Sequence, residues 1–200
     1  MSAGRMEAFS DGVIAILITI MVLQLRQPHG SSFAQLRTSF PSLLAYVLSF
    51  VNIAIYWNNH HHLLKAIPMV TGAMLWANLN LLFWLSLFPF TTAWMSENGF
   101  AATTVAVYGL VLALAALAYF ILQVIIVRAD GPDSRLGRVL GRDLKGKLSF
   151  ASFVVSVPLA LVWRWASIAV IIAVSVSWLI PDRRVEFYIR SIARDHDTDR

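Results

Sequence analysis

Apolar residues gather in long runs along the chain, near 8–25, 41–57, 69–95, 101–127, 148–163 and 166–180, separated by short polar stretches. A helix needs about 20 residues to cross hydrocarbon, so the pattern predicts an all-α, polytopic membrane protein with six transmembrane helices. The last two runs are short and meet at Trp163, Arg164 and Trp165. This junction reads as an interfacial turn, with the arginine snorkelling between two anchoring indoles. One long kinked helix is the competing reading.

Composition agrees with lipid as the solvent. Hydrophobic residues make up 58% of the chain and charged residues 14%, too apolar for a water-soluble fold of this length. The seven tryptophans and twelve phenylalanines suit interfacial belts and packing between spans. Without cysteine, a disulfide framework, a haem attachment and a thiolate metal site are excluded. Enzyme chemistry finds no support, since a nucleophile elbow, paired carboxylates and a phosphate-cradling glycine loop are all missing. No cofactor is expected.

The net charge of +5 points to membrane topology and not to nucleic acid, because the basic residues lie between and after the apolar runs. With the N-terminus inside, Arg5, Lys65, the basic residues between Arg128 and Lys147 and those after residue 182 all face the cytoplasm, leaving Arg26, Arg37 and Arg164 outside. The positive-inside rule therefore places both termini in the cytoplasm of a cell-membrane protein. On this reading residues 1–181 form the membrane domain and 128–147 a polar cytosolic linker. Residues 182–200 form a charged tail, helical at first and then disordered, and both segments serve topology and contact with anionic lipid. The first run is too long for a signal peptide, carries Asp11 and lacks a small-x-small cleavage site, so it is expected to stay.

Asp11 stands where hydrocarbon makes a charge expensive. At about 100° per residue, with Ile16 at zero, Ile20 falls near 40°, Leu23 near −20° and Thr19 near −60°, whereas Asp11 falls near 220°. An intramembrane carboxylate faces protein and has a partner, so the apolar stripe must face something else: lipid, another helix, or an axis shared with other copies. Candidate partners for Asp11 at matching depth are Arg5 and the end of the second span, where Trp57, Asn58, Asn59 and His60, His61 and His62 cluster. Ser10 and Asp11 could instead cap the first helix. Three consecutive histidines point 100° apart, unlike zinc-binding pairs at i, i+4, so no metal is expected there. Asn78 and Asn80 in the third span read as interhelical hydrogen-bonding groups.

Arg5-x-x-x-Phe9-Ser10-Asp11, followed by Gly12, Val13, Ala15, Ile16, Thr19 and Leu23, resembles the signature first helix of the endosomal and lysosomal potassium channels called transmembrane protein 175, in its bacterial branch. The resemblance extends to six spans, the tryptophan and histidine cluster and "NLNLLFWLSLFPFTTAW" in the third span. It implies a modestly potassium-selective channel, with potassium ions as the permeant species and membrane lipid around it. One copy of the motif per chain implies a homotetramer. It also implies that the first helices line the pore, with Ile16, Ile20 and Leu23 as the constriction and Thr19 on its flank. Arg5, Phe9, Ser10 and Asp11, with Trp57, His60 and His61, would tie the first helix to its neighbours. Ala15 stands where some relatives have a small hydroxyl residue, so selectivity from such a hydroxyl is not carried over.

A carbonyl filter is not expected, because no TVGYG-like segment is present. Rings of Ile and Leu can close a pore by dewetting and favour potassium, whose water is cheaper to strip. The alternative is a secondary or proton-coupled transporter using Asp11 and His60–His62 as a relay; the missing inverted repeat argues against it. Without the motif, the stripe would be read as packing or lipid-facing surface.

Overall fold

The computed structural model describes residues 2–65, 67, 69–130 and 143–179. Every regular element among them is helical: α1 (Ala3–Leu23), α2 (Phe33–Thr38), α3 (Phe40–Lys65), α4 (Gly72–Ser86), α5 (Phe88–Glu97), α6 (Ala102–Asp130) and α7 (Leu144–Leu179). The 131–142 part of the expected linker and the charged tail lie outside the described residues.

Helix ends follow local chemistry. Ser2 is the N-cap of α1 in extended conformation, so Ser10 and Asp11 stand two turns inside the helix and do not cap it. Ser32 opens α2 with a capping box, its hydroxyl accepting from Gln35 N–H while the Gln35 amide oxygen accepts from Ser32 N–H. This short helix goes beyond the spans expected from hydropathy, whereas α3 ends at Lys65, with the histidines at the end of the second span as expected. At 26 residues, α3 is about 39 Å long at 1.5 Å per residue, and its last two turns carry the histidines past the apolar run.

The third span is a pair of helices, α4 and α5, meeting at Leu87. Pro89 in the first turn of α5 has no N–H to continue the ladder. Thr91 repairs the joint, donating from its backbone and its hydroxyl to Leu87 O, each at 3.0 Å. Together 72–97 form one apolar segment long enough to cross a membrane.

In α7, Trp163 leaves helical geometry (φ −150°, ψ 88°). The Trp178 indole donates to Ser149 Oγ at 2.8 Å, although these residues would stand about 43 Å apart on a straight helix. Ser167 Oγ likewise reaches Ser156 O at 2.8 Å. The element is therefore a hairpin whose arms, 144–162 and 164–179, run antiparallel. Six membrane passes result, with the turn at the expected Trp163-Arg164-Trp165 junction. Arg164 lies over the Trp165 ring, 5.2 Å from its centroid.

The core lies among α3 to α7, around Leu85, Phe88, Tyr108, Leu112 and Leu122. Several polar groups inside it are paired between helices. Ser49 Oγ meets Thr92 Oγ1 at 2.6 Å and Tyr108 OH at 3.0 Å, while Ser175 Oγ donates to Asn52 Oδ1 at 3.2 Å. α1 packs chiefly against α3, α4 and α5, at one side of the bundle.

Candidate functional site

α1 has two unlike faces. Met6, Ser10, Ile14, Leu17 and Met21 recur at helical spacing and are buried against the bundle. Ile16 is 59% exposed, Ile20 40% and Leu23 77%. Thr19 is exposed beside them, its hydroxyl donating to Ala15 O at 2.9 Å. At 100° per residue Arg5 and Phe9 fall within about 20° of Ile16, and both are exposed. One face of α1 thus carries Arg5, Phe9, Ile16, Ile20 and Leu23 away from the helical core.

The opposite side is bonded to the end of α3. Trp57 Nε1 donates to Asp11 Oδ1 at 2.9 Å, and His61 Nδ1 lies 2.6 Å from Glu7 Oε1. Glu7 and Asp11 are one turn apart on α1, and Trp57 and His61 one turn apart on α3, so the antiparallel helices are joined by two rungs. The Trp57 and His61 rings stack, with centroids 5.9 Å apart and planes inclined by 23°.

A second connection reaches α4. The Ser10 hydroxyl donates to Met6 O at 2.8 Å and accepts from Asn78 Nδ2 at 2.9 Å. With that amide nitrogen donating, Asn78 Oδ1 accepts from His60 Nε2 at 2.7 Å, which places the ring proton on Nε2. All three residues are buried. His60 Nδ1 has no hydrogen-bond partner.

Of the residues expected to anchor the first helix, Ser10, Asp11, Trp57, His60 and His61 are brought into these contacts. Arg5 is not among them: it lies about 120° around α1 from Asp11 and forms no ion pair among the described residues. Phe9 is exposed on the stripe face. Glu7 was missed; its signal was the i, i+4 spacing to Asp11. Asn78 was expected to bond between helices without being placed at this site.

The family model for the endosomal/lysosomal potassium channel TMEM175 matches residues 5–89. Over 186 residues the chain is 46% identical to a potassium channel of Chryseobacterium sp. (strain P1-3), spanning 93% of this chain and 97% of that one. The chain belongs to the TMEM175 family. A potassium channel of Streptomyces collinus is 35% identical over 172 residues, which cover 75% of this chain and 84% of that relative. The crystal structure of a lysosomal potassium-selective channel TMEM175 homolog from Chamaesiphon minutus superposes with a TM-score of 0.79 at 26% identity, covering 89% of this chain and 96% of that one. Within the family match lie the stripe, both rungs and the Ser10–Asn78–His60 chain. The protein is a multi-pass membrane channel.

Proposed function

We propose that this chain is a potassium channel that works as a homotetramer in the cell membrane, with α1 of each subunit lining the permeation path and both termini cytoplasmic. The carrying observation is that Ile16, Ile20 and Leu23 face out of the chain's own bundle, on a helix whose opposite side packs against α3, α4 and α5. A single helix cannot enclose a path, so closure requires copies around an axis. Relatives named as potassium channels support the ion.

Three apolar rings stacked over about 11 Å, at 1.5 Å per residue from Ile16 to Leu23, exclude water when narrow and admit a partly hydrated cation when slightly widened. Potassium passes more readily than sodium because it sheds water at lower cost. Thr19 can turn an acceptor lone pair toward the path while its proton stays on Ala15 O. The two rungs and the Ser10–Asn78–His60 chain resist rotation of α1, which would otherwise turn the stripe off the axis. A transporter relay from Asp11 to a histidine is not favoured, since Asp11 bonds an indole that cannot pass a proton on.

Adjacent residues supply the test. Ile16→Asn should raise potassium flux in reconstituted vesicles and move the potassium and sodium reversal potentials together, because a polar ring lowers the dewetting barrier. Leu17→Asn, on the buried face, should instead lower the yield of assembled protein. Unchanged conductance and reversal potential in Ile16→Asn would remove the stripe from the permeation path.

A further inference from the structure

On the side of α3 turned away from α1, the bundle holds an open-mouthed cavity. Tyr56 of α3, Tyr119 and Phe120 of α6, and Phe153 and Trp178 from the two arms of α7 form its aromatic walls. At about 100° per residue, Tyr56 and Asn59 lie roughly 150° around α3 from Trp57 and His61. The cavity is thus separate from the α1 contacts.

Polar atoms around this space are mostly engaged. The Tyr119 hydroxyl donates to Asn59 O at 3.2 Å, and the Trp178 indole is bonded to Ser149. Gln123 differs. It lines the cavity and is only 4% exposed, and its Oε1 has no hydrogen-bond partner. A buried amide oxygen left unpaired is costly, more so without water nearby. Asp143 also lines the cavity, its carboxylate accepting Gly146 N–H at 2.8 Å. Lys145 Nζ lies close by, 4.7 Å from the Trp178 ring centroid. One acidic and one basic residue near the lining favour neither a cation nor an anion as the occupant.

We infer that this cavity binds a small uncharged aromatic molecule through a hydroxyl that donates to Gln123 Oε1. Ring faces supply contact area at low entropic cost, and the amide supplies orientation and selectivity. A site built around a hydrogen-bonding group discriminates strongly against an analogue that cannot bond to it.

The test uses the full chain purified in detergent micelles, with para-ethylphenol and para-ethyltoluene as probes of nearly equal shape. Binding is read by saturation-transfer NMR and by the melting midpoint. Ala116→Leu, which adds bulk to the cavity wall, subtracts probe dissolved in the micelle. Para-ethylphenol should bind about tenfold more tightly than para-ethyltoluene to the unaltered protein. Gln123→Met removes the unpaired amide and should melt no lower than the unaltered protein, with the two probes binding within about twofold of each other; Gln123→Leu is the second variant should Met pack poorly. Equal binding of both probes to the unaltered protein would make the cavity a general apolar pocket for lipid chains and overturn the assignment. So would a phenol preference that survives loss of Gln123, or saturation transfer undiminished in Ala116→Leu.

Discussion

The Trp57 indole N–H donates to the Asp11 carboxylate at 2.9 Å, joining the side of α1 remote from Ile16 to the last turns of α3. The intramembrane aspartate is thereby accounted for: it faces protein, at the edge of the buried face, and holds a donor that can bond it without a formal countercharge. The bond also sets the rotation of α1, since turning the helix to bury Ile16 would pull Asp11 off the indole.

This pair can be weighed directly. Asp11→Ala strands a half-exposed indole N–H, and Trp57→Phe removes the donor while keeping a ring against His61. Each should destabilise the protein by about 1–3 kcal/mol, as for a hydrogen bond to a charged group. The double variant should be less destabilised than the sum by about 1 kcal/mol or more. Melting midpoints of the four proteins give the coupling, and strict additivity would deny that the contact matters.

Asn78 bridges two partners, so its loss should exceed that of either end. Asn78→Leu keeps the volume but takes the donor from buried Ser10 Oγ and leaves buried His60 unpaired, with an expected loss of about 2–4 kcal/mol. Ser10→Ala, which leaves only the Asn78 amide unpaired, should lose about 1–2 kcal/mol. If Asn78→Leu melts as high as the unaltered protein, the polar chain is dispensable for holding α1 to α4.

Gly109 marks a close approach of α6 to α7. A Cβ there would stand 2.7 Å from Ser156 Oγ, and Ser156 is fully buried. Gly109→Ala should therefore lower stability by about 1–3 kcal/mol through overpacking, despite alanine's better helix propensity. Ser156→Ala removes the obstructing atom, so the double variant should melt above Gly109→Ala alone. An equal or lower midpoint would place the obstruction elsewhere.

Orientation is open to chemical labelling. Single cysteines at Ser31, before α2, and at Val162, at the α7 turn, should react with an impermeant thiol reagent on intact cells. One at Ser2 should resist until the membrane is permeabilised. Reaction at Ser2 without reaction at Ser31 would invert the proposed topology.

Much of this was legible in the residues because it is local. Spans follow from runs of apolar side chains, and the phase between Ile16, Ile20, Leu23 and Asp11 follows from a fixed rotation per residue. The same arithmetic separates Arg5 from Asp11 and groups it with the stripe, although proximity in sequence made it a candidate partner.

Contacts between helices depended on tertiary structure. Trp57, His60 and His61 share two turns of α3, and their assignment to Asp11, Asn78 and Glu7 depends on the depth and rotation at which α3 meets α1 and α4. That register is set by packing across the whole bundle. Whether the last two apolar runs formed one helix or two was likewise undecided by hydropathy, because a kinked helix and a hairpin bury similar runs. Pairing of Ser149 with Trp178 and of Ser156 with Ser167 decided for the hairpin, since antiparallel arms can satisfy polar groups that a single extended helix would leave facing hydrocarbon.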